Sequence, residues 1–136
     1  MHGDVSPKNI LVGDRPVFLD AECATWSDPA FDAAFCLTHL ALKEFHLPAS
    51  ATDLRAASDA FTAGYLAEVD WEEQTDAAAR VRRIIPALLL ARVEGASPVE
   101  YLGAPARARV RRVALAALVT GRAWEDVVDE QGAANA

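Results

Sequence analysis

Asp4 and Asn9 stand close together in the opening stretch His2-Gly3-Asp4-Val5-Ser6-Pro7-Lys8-Asn9, and a second acid, Asp20, follows a short way on. An acid, an amide and another acid are what magnesium-dependent phosphoryl transfer needs: a base for an acceptor hydroxyl, and hard oxygen ligands for the metal. For these side chains to cooperate, the chain between them must double back. Ile10-Leu11-Val12 and Val17-Phe18-Leu19 are short β-branched or aromatic runs, and Gly13-Asp14-Arg15-Pro16 between them is rich in turn formers. The pattern predicts a β-hairpin that returns Asp20, past the second strand, to the side of Asn9 at the start of the first.

The spacing from Asp4 to Asn9 is that of the kinase catalytic loop, in which the Asp takes the proton of the substrate hydroxyl and the Asn holds a metal ion. Three ordered blocks extend the likeness: His2 to Val12, then Phe18-Leu19-Asp20-Ala21-Glu22, then Asp28-Pro29-Ala30-Phe31-Asp32. Together they resemble the catalytic half of the aminoglycoside phosphotransferase and choline kinase-like family, most clearly over residues 2 to 46. The resemblance implies a mostly α fold with a small β-hairpin, the C-terminal lobe of a protein kinase-like α+β fold. It also implies Asp4 as catalytic base, Asn9 and Asp20 as magnesium ligands, and ATP or GTP as phosphate donor. His2 and Asp32 would brace the loop, with Asp32 accepting hydrogen bonds from its backbone. Lys8 is either a contact to the transferring phosphate or a solvent-facing loop residue. Glu22 stands where the protein kinases carry Gly and has an open role toward metal or substrate.

Such enzymes also need a phosphate-covering loop, a Lys on the α- and β-phosphates and a Glu that positions it, all in an N-terminal lobe. Met1 lies one residue before the loop, so the resemblance implies a truncated catalytic lobe, inactive alone. A late start, a shortened gene or a lobe supplied by another chain would each account for it.

Composition fits this reading. The length suits one domain, with residues 1–27 as catalytic segment and 28–136 as helical subdomain. Of the hydrophobic 52%, 29 residues are Ala, so the apolar fraction overstates the core while favouring helix. No apolar run spans a bilayer and no export signal opens the chain, so a soluble, cytoplasmic protein without a membrane partner is expected. Cys23 and Cys36 are expected to be reduced and buried. Residues 1–76 hold 14 acids against 4 bases, and residues 77–136 hold 6 acids against 9 bases. The acidic half would attract a cationic acceptor and repel nucleic acid, although solubility explains the same charge.

Further along, Asp28-Pro29 starts a helix to about Phe45 that is buried on most sides. A second helix, from Thr52 to about Val69, turns Leu54, Ala57, Phe61 and Tyr65 inward. A third, Thr75 to Val93, carries Pro86, which should kink or divide it. A fourth, Pro105 to Thr120, has an inner stripe of Val110, Val113, Ala114, Ala117 and Leu118. A short terminal helix near Trp124 should fray from Gln131. Trp71 either plugs the core or stacks on a cationic substrate, and plugging is the commoner use. His39 and His46 are taken as surface or helix-end residues. The arginines of the last helices are read as ion-pairing surface rather than a nucleic-acid face.

Two functions of different class follow. One is an ATP-dependent phosphotransferase acting on a hydroxyl of a small molecule. The other is a non-catalytic helical remnant or interaction module that binds no nucleotide and exposes an apolar face.

Overall fold

The computed structural model describes residues 1–133. Its architecture is mostly helical with one small antiparallel sheet. Two strands, β1 (Ile10–Leu11) and β2 (Val17–Phe18), pair in the register Ile10 with Phe18 and Leu11 with Val17. Each is one residue shorter than the sequence suggests, because Val12 and Leu19 fall outside the strands. Leu19 nonetheless donates its amide to the Asn9 carbonyl at 2.8 Å, so the two chain segments stay together down to Asn9.

Five helices follow: α1 (Ala30–His46), α2 (Ala51–Ala67), α3 (Gln74–Glu94), α4 (Ala104–Thr120) and α5 (Trp124–Ala133). Helix α1 begins where Asp28 offers acceptors to free amides. Its Oδ1 takes the Ala30 N–H at 2.9 Å and its carbonyl takes the Phe31 N–H at 3.1 Å. At the other end of the bundle, Gly121 closes α4 with φ 70°, a left-handed cap that suits glycine.

The core lies between α1, α3 and α4, with α5 packed on α4 and α2 on the flank of α1. Leu42, Leu89, Val110 and Val113 are fully enclosed there, each burial contributing roughly 2 kcal/mol. Pro86 is buried, yet α3 runs through it unbroken. The carbonyl that loses its partner belongs to Arg82, an exposed residue on which water can substitute. Arg80 bridges Asp28, at 3.1 Å, and Glu72, tying the start of α1 to the joint before α3.

Several expectations are corrected. Helix α2 has no fully buried residue, and Ala57 is exposed, because α2 leans on α1 with one edge and leaves a hollow along the other. Trp71 is not a plug: it is 54% exposed and donates its ring N–H to Glu72 at 3.1 Å. Leu118 lies outside the packed stripe, at the exposed end of α4. His39 is buried rather than superficial, and Cys23 is exposed while Cys36 is buried, both as free thiols. Burial pushes the Cys36 thiol up to about 11, which keeps it protonated and unreactive. Helix α5 continues through Ala133, past the expected fraying point at Gln131, and residues 134–136 lie outside the described residues. No helix among the described residues is long and apolar enough to cross a membrane.

Candidate active site

The loop from His2 to Asn9 makes few regular backbone bonds, so its shape depends on what holds it from outside. Asp32, in the first turn of α1, accepts the His2 amide at 2.5 Å and the Gly3 amide at 2.8 Å, one on each carboxylate oxygen. A carboxylate accepting two N–H bonds at the positive end of a helix is doubly favoured. Gly3 has φ 89°, and a Cβ there would stand 2.8 Å from the Cys23 carbonyl oxygen. Only glycine lets the loop press against the turn Ala21–Cys23 in this way. His2 turns back onto the same loop: its Nδ1 accepts the Asp4 amide at 3.3 Å, and its ring lies 6.1 Å from that of Phe18.

Beyond Asp4 the chain tightens, with the Ser6 amide donating to the Asp4 carbonyl at 2.9 Å. Pro7–Asn9 forms a 3-10 turn, which Pro7 suits because its fixed φ fits a first helical position. That turn brings Asn9 back over Asp4. The Asn9 amide nitrogen donates to the Asp4 carboxylate Oδ2 at 2.9 Å and to the Asp4 carbonyl at 3.1 Å. With its nitrogen committed to Asp4, Asn9 has its side-chain oxygen left to offer a cation. Asp4 is thereby fixed on one oxygen while the other stays available.

Asp20 follows immediately on Leu19, whose amide pairs with Asn9. It is exposed and has φ 66° and ψ 50°, the one non-glycine residue with positive φ among those described. Asp tolerates this region better than most residues, and such conformations gather at functional sites. The Asn9 and Asp20 backbones therefore lie at the same end of the hairpin, and each residue carries a hard oxygen donor. Magnesium takes one or two protein oxygens and fills its other positions with water and phosphate, so this sparse donor set fits it. A cage of three or more His, Cys, Asp or Glu side chains does not occur among the described residues.

Lys8 is exposed on the 3-10 turn, and Glu22 is exposed beyond Asp20 with no ion pair among the described residues. Every residue from Leu11 to Ser27 is exposed, so one side of the site stands open. A pocket of about 700 Å³ lies on another side, between His2, Phe18, Asp32 and the α2 residues Phe61 and Tyr65.

Sequence reasoning missed Ser6 and His39. Ser6 is 1% exposed beneath the loop, and His39 is 8% exposed, with its ring 4.9 Å from Phe35. A signal existed. His39 stands two turns after Asp32 on α1, on the face that already has to meet the loop, and Lys43 stands one turn further.

Compared with known proteins, residues 1–73 match the family model for the phosphotransferase enzyme family (APH). No curated protein and no solved structure matches the chain.

Proposed function

Since the chain belongs to the phosphotransferase enzyme family, we propose that it transfers the terminal phosphoryl group of ATP or GTP to a hydroxyl of a small molecule. The observation that carries this reading is the double tie of Asn9 to Asp4 at the mouth of a hairpin whose return strand leads, through Leu19, to Asp20. Asp4 is the base: its free carboxylate oxygen accepts the hydroxyl proton as the acceptor oxygen bonds to the terminal phosphorus and the nucleoside diphosphate leaves with the bridging oxygen, while Asn9 holds the other carboxylate oxygen still. Asn9 and Asp20 are the residues to hold magnesium, which when bound would offset charge on the phosphate oxygens. His2 and Asp32 fix the loop from behind. Glu22 and Lys8 would contact metal, phosphate or substrate.

In this reading residues 1–27 and 28–136 form one domain equivalent to the C-terminal lobe of a kinase-like fold, working in the cytoplasm. The 136 residues contain no glycine-rich phosphate loop with its Lys and Glu. That lobe is to be supplied in cis or in trans, and the chain by itself is inactive. Neither nucleic acid nor membrane is a partner. The second reading, a non-catalytic interaction module, draws on the exposed apolar residues Leu11, Val12, Val17, Phe18 and Trp26.

The test is phosphoryl transfer from labelled ATP or GTP to a panel of hydroxyl compounds by the protein complete with that lobe. Asp4→Asn and Asp20→Ala should each lower turnover by about a thousandfold, with unchanged thermal melting. Full turnover in either variant refutes the assignment.

A further inference from the structure

Val5 and Ser6, neighbours in the chain, line different hollows. Val5 lines the pocket beside α2, whereas Ser6 lines a second one, of about 480 Å³, between the loop, α1, α3 and the segment before α4. This second hollow is unusual in its charge. Lys8, Lys43 and Arg92 all line it, and none has a carboxylate partner among the described residues. Lys43 rests its ammonium 4.2 Å from the centre of the Tyr101 ring, and Arg92 lies over Phe35 at 5.6 Å. Glu100 is the one acid on the wall. In a chain of net charge −7, this is a local excess of positive charge directly beside the loop that carries Asp4.

The polar atoms around it are also unsatisfied. Eight buried side-chain atoms of the described residues lack a hydrogen-bond partner, and four belong to residues that line this hollow: Ser6 Oγ, His39 Nε2, Arg92 Nε and Tyr101 OH. Buried polar groups are nearly always paired, because leaving one without a partner forfeits its bonds to water. Four at one place, Arg92 among them, beside the unpaired cations Lys8 and Lys43, describe a seat for several acceptor oxygens. His39 contributes as a neutral group, because burial, then the Arg92 charge, lowers its pKa to about 4. The Asp4 charge also reaches His39, and Ser6 is joined to Asp4 by the 2.9 Å bond of their shared turn.

We propose that this hollow seats an anionic group, a carboxylate or a phosphate, of the same small molecule whose hydroxyl is presented to Asp4, so that the acceptor is an acidic hydroxy compound and not a polyamine. This rests on the phosphotransfer reading of Asp4, and it reverses the cationic acceptor that the overall charge suggests. Three uncompensated cations at the wall repel an aminoglycoside locally, whatever the charge of the rest of the surface.

The terminal phosphate of the nucleotide has the same chemistry as such a group, and the experiment separates the two. The isotopically labelled full chain is titrated, without metal, with inorganic phosphate, glycerol 3-phosphate, glycerol and kanamycin. Nuclear magnetic resonance follows the amides of Ser6, Lys8 and Tyr101 and the ring of His39. Phosphate and glycerol 3-phosphate should shift these signals, whereas glycerol and kanamycin should not. Affinity should fall at least about tenfold in Lys43→Met or Arg92→Met. Glu100→Gln, an exposed change that spares the core, should tighten binding a few-fold and keeps the test alive if the other variants unfold. Anion shifts that spread over the α4 arginines, or that persist unchanged in all three variants, overturn the proposal. So does displacement of glycerol 3-phosphate from these residues by MgATP, which would give the hollow to the donor. Manganese broadening of Asn9 and Asp20 on the same samples reports the metal site separately. Anion binding without broadening supports the hollow and fails the phosphotransfer reading; broadening without anion binding fails the hollow alone.

Discussion

The segment before α1 and the bundle of α1, α3 and α4 are held in opposite ways. In the bundle, Leu42, Leu89, Val110 and Val113 are sealed from water and their neighbours are apolar. In the first segment, residues 11 to 27 are all exposed, and order comes from polar ties: Asp32 on two amides, Asn9 on Asp4, Leu19 on Asn9. Stability is thus concentrated in one region and the candidate chemistry in the other, joined chiefly at Asp32. A site assembled by hydrogen bonds on a rigid base keeps its carboxylates in contact with solvent and ligands, which a packed core would forbid.

That contrast can be broken first at its strong side. Leu89→Ala should cost about 3 kcal/mol in denaturant unfolding, as truncation of an enclosed leucine does, while Val12→Ala at the open hairpin tip should change stability by less than about 0.5 kcal/mol. Equal losses at the two positions would mean the hairpin carries the fold. Next comes the joint. Asp32→Ala leaves the His2 and Gly3 amides without their acceptor and should cost about 2 kcal/mol, together with fast hydrogen exchange at Gly3. Slow exchange in that variant would show the loop to be held by something else.

The boundary between the regions is also open to a test through pH. His39 has its folded pKa lowered to about 4 from the usual 6.5, by burial first and by Arg92 second. The unfolded chain therefore binds a proton that the folded chain refuses. Stability is complete above about pH 6.5 and falls as the pH drops toward 4, by roughly 3 kcal/mol in all. His39→Gln should flatten that part of the stability profile, and an unchanged slope would show that His39 takes its proton without cost.

How much of this could be read in advance divides along the same line. The hairpin and the start of α1 were legible because Gly13 to Pro16 and Asp28-Pro29 act through local backbone geometry. So was the main stripe of α3 and α4, where Val81, Ile85, Leu89, Val110 and Val113 repeat at helical spacing and are buried. Trp71, Leu118, Cys23 and His39 were misjudged because burial of a single residue depends on which element covers it, and periodicity names a face without naming its cover. Helix α2 shows this most clearly: Leu54, Phe61 and Tyr65 do share a side, but Phe61 and Tyr65 border a hollow and none of the three is sealed. The basic hollow was illegible for a related reason, since Lys8, Lys43 and Arg92 come from three separate elements that only the packing of α1 on α3 brings together.

The central claim is that Asn9 and Asp20 jointly take a divalent cation beside Asp4. Paramagnetic relaxation by manganese on the labelled chain tests it most directly. The account predicts broadening centred on the amides of Asn9, Leu19 and Asp20 that disappears in Asp20→Ala and survives in Leu89→Ala. Broadening that leaves those amides untouched, or that persists in Asp20→Ala, would contradict it.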